Sequence, residues 1–374
     1  MRLARVAVPK RAHPGLDAYR GLAVLLMYVV HARRLQPTTS PGEGLADAAL
    51  RLLMWSEPFI AASFLLIVGF SLVLSATKHG ASRGWLRRSW RRAAKLYGLS
   101  VLLFVPQFGL QWPDLVLSSG ILSAIAVAIA VVGSALCSRT PAVAVASVGI
   151  VGWLVAGLLE WMDASVSGVN AGPGGALPLV SFTAAGALLA LLHQKHGSRG
   201  LVFATAAGAM GSLAAMLSGG PWLEVHASVY RDYGGMLALP ALVEGGAAGS
   251  IEVTFWNHSA VGTLGLGFPL VASVAVFLIP EHRVERIWRW LSWLLLLGRH
   301  ALGAYVGHLV ALGLLELGGW VPRSATTTWI LVGALALGAC VGSAAWERLG
   351  AKATQPESKK RRRSTSPESS GHPG

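Results

Sequence analysis

The chain has 374 residues, 53% of them hydrophobic and only 13% charged, with a mean hydropathy of +0.56. Soluble domains carry roughly twice that share of charge, so the composition excludes an ordinary soluble protein and indicates repeated membrane crossing. The formal net charge of +14 is no sign of nucleic-acid binding, because the cations lie between apolar runs and no zinc, helix-turn-helix or RNA-binding signature accompanies them.

A bilayer span needs about 20 mostly apolar residues. In chain order, ten stretches meet that need: 16–33, 59–76, 93–110, 115–136, 141–159, 176–193, 201–217, 262–279, 299–317 and 326–346. The expected fold is therefore all-α and polytopic, with about ten transmembrane helices in one domain over residues 1–350. Arg2, Arg5, Lys10 and Arg11 ahead of the first stretch imitate a secretory signal. Asp17 and Arg20 interrupt it, however, and no small-x-small cleavage site follows, which makes it an uncleaved span. Gly298-Arg299-His300 breaks an apolar run before the ninth stretch, so Trp288 to Leu297 is expected to approach that span along the interface.

Ten crossings put both termini on one side. That side holds 24 of the 31 cations and the other holds 5, with Arg20 and Arg299 inside or beside spans. The positive-inside rule makes the termini cytoplasmic, in a multi-pass inner or cytoplasmic membrane protein. After Gly350 the chain loses apolar content, and residues 351–374, including Lys359 to Arg363, read as a disordered basic cytoplasmic tail. Cys137 and Cys340 are too few for a disulfide framework or a metal-site spacing. No P-loop, no GxGxxG after a strand and no HExxH occurs, so phosphate-loop, dinucleotide and zinc-protease chemistry lack a motif, and no metal is expected.

Two loops stand out. Residues 85–95 pair Arg87 with Arg91 and Arg88 with Arg92 at i,i+4 beside Trp85 and Trp90, the pattern of an interfacial helix. It reads either as an anchor on anionic lipid or as a rim that binds phosphates. The 218–261 loop is the longest connection and is rich in aromatic and polar residues, including Asn257 and His258 ahead of the eighth span.

The most informative feature is the pair Arg20 and His31 in the first span. An offset of eleven is close to three helical turns, which puts both on one face about 16 Å apart along the axis. Ionisable groups are costly in hydrocarbon and normally face a polar interior. Histidine titrates near neutrality and suits removal of a proton from an attacking hydroxyl or amine. Arginine keeps its charge and presents a fork of donors to a phosphate or carbonyl. Plainer readings stand beside these: Asp17 and Arg20 as an i,i+3 ion pair, and His31 as an interfacial histidine next to Arg33 and Arg34. Glu57 opens the second span on His31's side, where it either orients the imidazole or merely ends a helix. His308 is either a core histidine bonded to a neighbouring helix or a substrate ligand. The remaining loop histidines, such as His79 and His193, read as solvated.

The stretch Leu16-Asp17-Ala18-Tyr19-Arg20-Gly21 through His31 resembles the first-span motif of the transmembrane acyltransferase superfamily. Phe64 to Leu72 in the second span, Gly120-Ile121-Leu122 with Ile125-Ala126 in the fourth, and Gly298 to Leu302 with Tyr305 and His308 in the ninth are similar to its heparan-α-glucosaminide N-acetyltransferase-like branch. Val68 replaces the serine that the acyltransferase-3 branch carries before Gly69-Phe70. The resemblance implies transfer of an acyl group, commonly acetyl from cytoplasmic acetyl-CoA, to an extracytoplasmic glycan, lipid-linked molecule or similar polar acceptor. Under it His31, Arg20 and Glu57 are the candidate catalytic residues. Arg87, Arg88, Arg91, Arg92 and Arg299 are candidates for the donor, and Asn257, His258 and His308 for the acceptor. A transporter or flippase of a polar or lipid-linked substrate is the rival reading, since it too needs polar groups inside the membrane.

Overall fold

The computed structural model describes residues 13–36, 44–54, 56–110, 112–170, 175–217, 260–278 and 291–363. These residues hold helices and no strand. The helices are α1 (Pro14–Arg34), α2 (Leu45–Met54), α3 (Glu57–His79), α4 (Arg83–Phe108), α5 (Asp114–Leu117), α6 (Ile121–Leu136) and α7 (Pro141–Trp161). They continue with α8 (Ala176–His196), α9 (Ser198–Leu217), α10 (Ala260–Leu278), α11 (Ser292–Arg299), α12 (Ala301–Leu317) and α13 (Ala325–Arg363).

Local chemistry sets the ends. Pro14 starts α1 where a missing N–H does no harm, Asp17 sits in the positive first turn, and Arg33 and Arg34 sit in the negative last turn. Ser82 caps α4 by accepting from the Trp85 N–H. Gly80 and Gly109 stop α3 and α4 at φ of 75° and 78°, a region that favours glycine.

Among the described residues, four helices are long and apolar enough to cross a bilayer: Phe59–His79, Pro141–Trp161, Ala176–His196 and Ala325–Leu349. A fifth crossing is made if α11 and α12, bent by 85°, count as one. Each of the ten expected stretches is largely helical, but length and apolarity alone return four or five crossings. In α1 the charges at Asp17, Arg20, Arg33 and Arg34 lower the apolarity. The expected 115–136 span is interrupted, because Ser118, Ser119 and Gly120, the last at φ 114°, separate α5 from a 16-residue α6. The bend falls at Arg299 and His300, where the sequence marks an interruption. Two features depart from the reading: α2 is an additional helix, and α13 runs past Gly350 to Arg363; Trp288 to Trp290 lie outside the described residues. Alanine, lysine, glutamate and arginine in 351–363 favour helix locally.

α3 and α8 are buried within the bundle, whereas α7 and α13 expose most of their length. α1 packs against α2, α3, α10, α11, α12 and α13, which makes it the central element of its half. Lipid tails are as apolar as leucine, so close backbone approach replaces hydrophobic burial as the force between helices. Glycines provide it. A Cβ on Gly69 would run into the Thr183 carbonyl, and one on Gly186 into the Leu66 carbonyl, so α3 and α8 cross through reciprocal glycines. α1 and α11 repeat the device: Gly21 faces the Leu294 carbonyl and Gly298 faces the Asp17 carbonyl.

These crossings separate structural glycines from lipid-facing ones. Gly186→Ala should lower stability by about 1–3 kcal/mol through overpacking. Gly338→Ala, which meets no atom within 4 Å, should leave stability unchanged or slightly raised by better helix propensity. Thermal unfolding in detergent measures both.

Candidate active site on the central helix

At one end of α1, Arg20 is held from two sides. Its Nη1 donates to Asp17 Oδ1 at 3.0 Å, and its Nη2 donates to the Ser71 hydroxyl of α3. Ser71 donates in turn to the Ile67 carbonyl at 2.7 Å. The Arg20 side chain is 24% exposed, so it is turned inward yet not sealed. The plain reading of the sequence, an i,i+3 ion pair with Asp17, is thus correct as geometry. It leaves part of the five-donor guanidinium uncommitted. One position earlier on the helix, Tyr19 bonds Ser63 of α3 at 3.1 Å and Ser273 of α10 at 2.8 Å.

At the other end, His31 meets His308 of α12. His31 Nδ1 and His308 Nε2 are 2.7 Å apart, and the rings lie nearly parallel with centroids 5.0 Å apart. His308 is only 3% exposed and is flanked by Tyr28 and Tyr305, whose ring centroids lie 4.9 Å and 5.6 Å away. The Tyr28 hydroxyl and His308 Nδ1 both donate to the Ala304 carbonyl, at 3.1 Å and 3.3 Å. His31 itself is half-buried.

The ion-pair partner of Glu57 among the described residues is Arg34, one turn beyond His31 on α1. Glu57 is 3% exposed, and its oxygens accept no hydrogen bond among the described residues. A permanent guanidinium holds a buried carboxylate better than an imidazole that is mostly neutral near pH 7. His308, read from the sequence either as a core histidine bonded to a neighbouring helix or as a substrate ligand, is in direct contact with His31.

The arginines of α4 are arranged differently. Arg87, Arg88, Arg91 and Arg92 are exposed and make no ion pair among the described residues. Trp85 joins this helix to α3 by donating to Ser75 at 3.0 Å. Ser75 lies one turn from Ser71, so a short polar row on α3 leads from Trp85 of α4 to Arg20. Arg299 pairs with Glu347 of α13 at 3.0 Å, and His300 meets the same carboxylate at 3.1 Å. Arg299 remains 47% exposed, and its charge also acts on Asp17. Asn257 and His258 lie outside the described residues. Among those residues no three His, Cys, Asp or Glu side chains converge as a metal site requires.

The sequence reading missed Ser71 and Ser75, which follow the Gly69-Phe70 pair it singled out, and the direct meeting of His31 with His308. Ser71 is four residues ahead of Ser75, the one available signal of a shared polar face. Nothing in the spacing along the chain joins residues 277 positions apart.

Residues 13–170, which include α1 and the second to fifth apolar stretches, match the family described as heparan-α-glucosaminide N-acetyltransferase, catalytic. No curated protein matches the chain. With Arg20 and His31 on the helix that opens the matched region, and with apolar helices able to cross a bilayer, residues 13–170 are similar to the catalytic region of the heparan-α-glucosaminide N-acetyltransferase family.

Proposed function

We propose that this protein is a membrane acetyltransferase that takes acetyl from cytoplasmic acetyl-CoA and delivers it to a carbohydrate or similar polar acceptor on the opposite side. The reading includes about ten crossings with both termini in the cytoplasm, in an inner or cytoplasmic membrane. One observation carries it: a single helix presents a half-buried imidazole at one end and an inward-turned guanidinium at the other, within the region matched to an acetyltransferase family.

His31 serves as general base. It takes the proton of the acceptor hydroxyl as the oxygen's electron pair attacks the thioester carbonyl. The C–S bond then breaks, the thiolate leaves with the bonding pair, and the proton on His31 passes to it, giving an acetyl ester and free CoA thiol. With an amine acceptor the same transfer gives an amide. Arg20 binds the donor near its thioester arm, held in place by Asp17 and Ser71. The α4 arginines attract the nucleotide phosphates of CoA, and Arg299 lies at the same end of α1 as Arg20. The distance from Arg20 to His31, about 16 Å along the axis, suits an extended pantetheine arm lying along α1. Asn257 and His258, ahead of α10, contribute to the acceptor side.

The bent pair α11–α12 favours a second reading, a transporter or flippase, because such proteins place substrates at broken helices. Uptake into vesicles without thioester cleavage is its signature.

In proteoliposomes supplied with acetyl-CoA, free thiol should appear, and His31→Ala should lower its rate by about 100-fold or more while inserting normally. Undiminished turnover in that variant overturns the mechanism. Replacing Arg87, Arg88, Arg91 and Arg92 by glutamine should raise KM for acetyl-CoA about tenfold or more, each lost phosphate contact being worth about 1 kcal/mol. KM for S-acetylpantetheine, which lacks the nucleotide phosphates, should not change; equal effects on both donors reject the phosphate role.

A further inference from the structure

We infer that His308 is a positioning residue that fixes the tautomer of His31, so that the two imidazoles form one proton-accepting unit. This rests on the acetyltransferase reading above and gives His308 a part other than holding acceptor.

Ala304 O accepts only, so the 3.3 Å contact with His308 Nδ1 requires the proton to sit on Nδ1. In a neutral ring the other nitrogen, Nε2, then carries a lone pair. That lone pair faces His31 Nδ1 at 2.7 Å. Two lone pairs at that distance repel, so His31 Nδ1 bears the proton and donates it. His31 Nε2 is consequently left bare, and it is the nitrogen that can receive a proton from an acceptor.

The surroundings lock this order of donors. Tyr28 and Tyr305 clamp the His308 ring, which is 3% exposed, and Tyr28 donates to the same Ala304 carbonyl at 3.1 Å. A flipped His308 would lose its carbonyl partner. When His31 Nε2 gains a proton, the ring becomes an imidazolium whose Nδ1–H still points at His308 Nε2, now as a charge-assisted hydrogen bond. Arg34, one turn beyond His31 on α1, is paired with Glu57, so its charge is offset within the site.

The test separates positioning from acceptor binding and from mere structure. His308→Leu removes the lone pair, whereas His308→Gln restores an acceptor oxygen near the Nε2 position. In proteoliposomes with acetyl-CoA as donor, kcat should fall about 100-fold from wild type in His308→Leu. It should stay within about tenfold of wild type in His308→Gln, with KM for the acceptor unchanged in both. Loss confined to acceptor KM, or unchanged kcat in His308→Leu, overturns the assignment.

Nitrogen-15 NMR of labelled histidines reads the tautomer directly, the His31 signals being identified by their disappearance in His31→Ala. A proton on Nδ1 and a bare Nε2 at His31 is the expected result in wild type and in His308→Gln. A proton on Nε2 in wild type contradicts it. Because the NMR result does not depend on turnover, it decides the pairing even if His31→Ala keeps full activity and the acetyltransferase reading falls.

Discussion

An ionisable group in the middle of an apolar helix must find a partner, since a charge there costs about 2.5–3.5 kcal/mol on the insertion scale and more if unpaired. α1 carries Asp17, Arg20, His31, Arg33 and Arg34 within 18 residues. Their partners are drawn from its own turns and from neighbouring helices: Asp17 and Ser71 for Arg20, His308 for His31, and Glu57 for Arg34. The rest of this half of the molecule is arranged around those pairings.

The arrangement works because helix backbones come unusually close. Gly21 and Gly298 let α11 lie against α1 at Asp17, and the 85° bend that follows turns α12 so that Ala304 and His308 reach Tyr28 and His31. α13 runs beside α1, touching Gln36 through Thr328 at one end and holding Arg299 and His300 through Glu347 at the other. Bulk at Gly298 would push α11 off α1 and disturb the guanidinium end, and the shift would carry through the bend to the imidazole end. The guanidinium and imidazole ends are thus coupled by packing as well as by sharing a helix.

Much of this is legible in the sequence, for identifiable reasons. The apolar stretches announce helices because a hydrocarbon environment allows little else. The eleven-residue offset of Arg20 and His31 is a local helical relation and needs no tertiary information. The interruption at Gly298 to His300 is written in residue type, and it is where the helix bends. What is not legible depends on contacts between distant segments. Glu57 lies on His31's side of the second span, and only the position of Arg34 one turn away decides that it pairs there. His308 reads as well for a ligand as for a buried core residue, and its contact with His31 follows only from the placement of α12 against α1. The close α3–α8 crossing through Gly69 and Gly186 is hidden because glycine and alanine are abundant throughout the chain.

The central claim is that acetyl passes along α1 from donor to acceptor while CoA stays on its own side. Inverted membrane vesicles, whose lumen is the extracytoplasmic side, carry their native envelope glycans and can be given acetyl-CoA labelled in the acetyl group from outside. The account predicts label in enclosed glycan, and unlabelled CoA thiol released outside, only when this protein is present. Intact acetyl-CoA inside the vesicles, or label that stays outside, contradicts it.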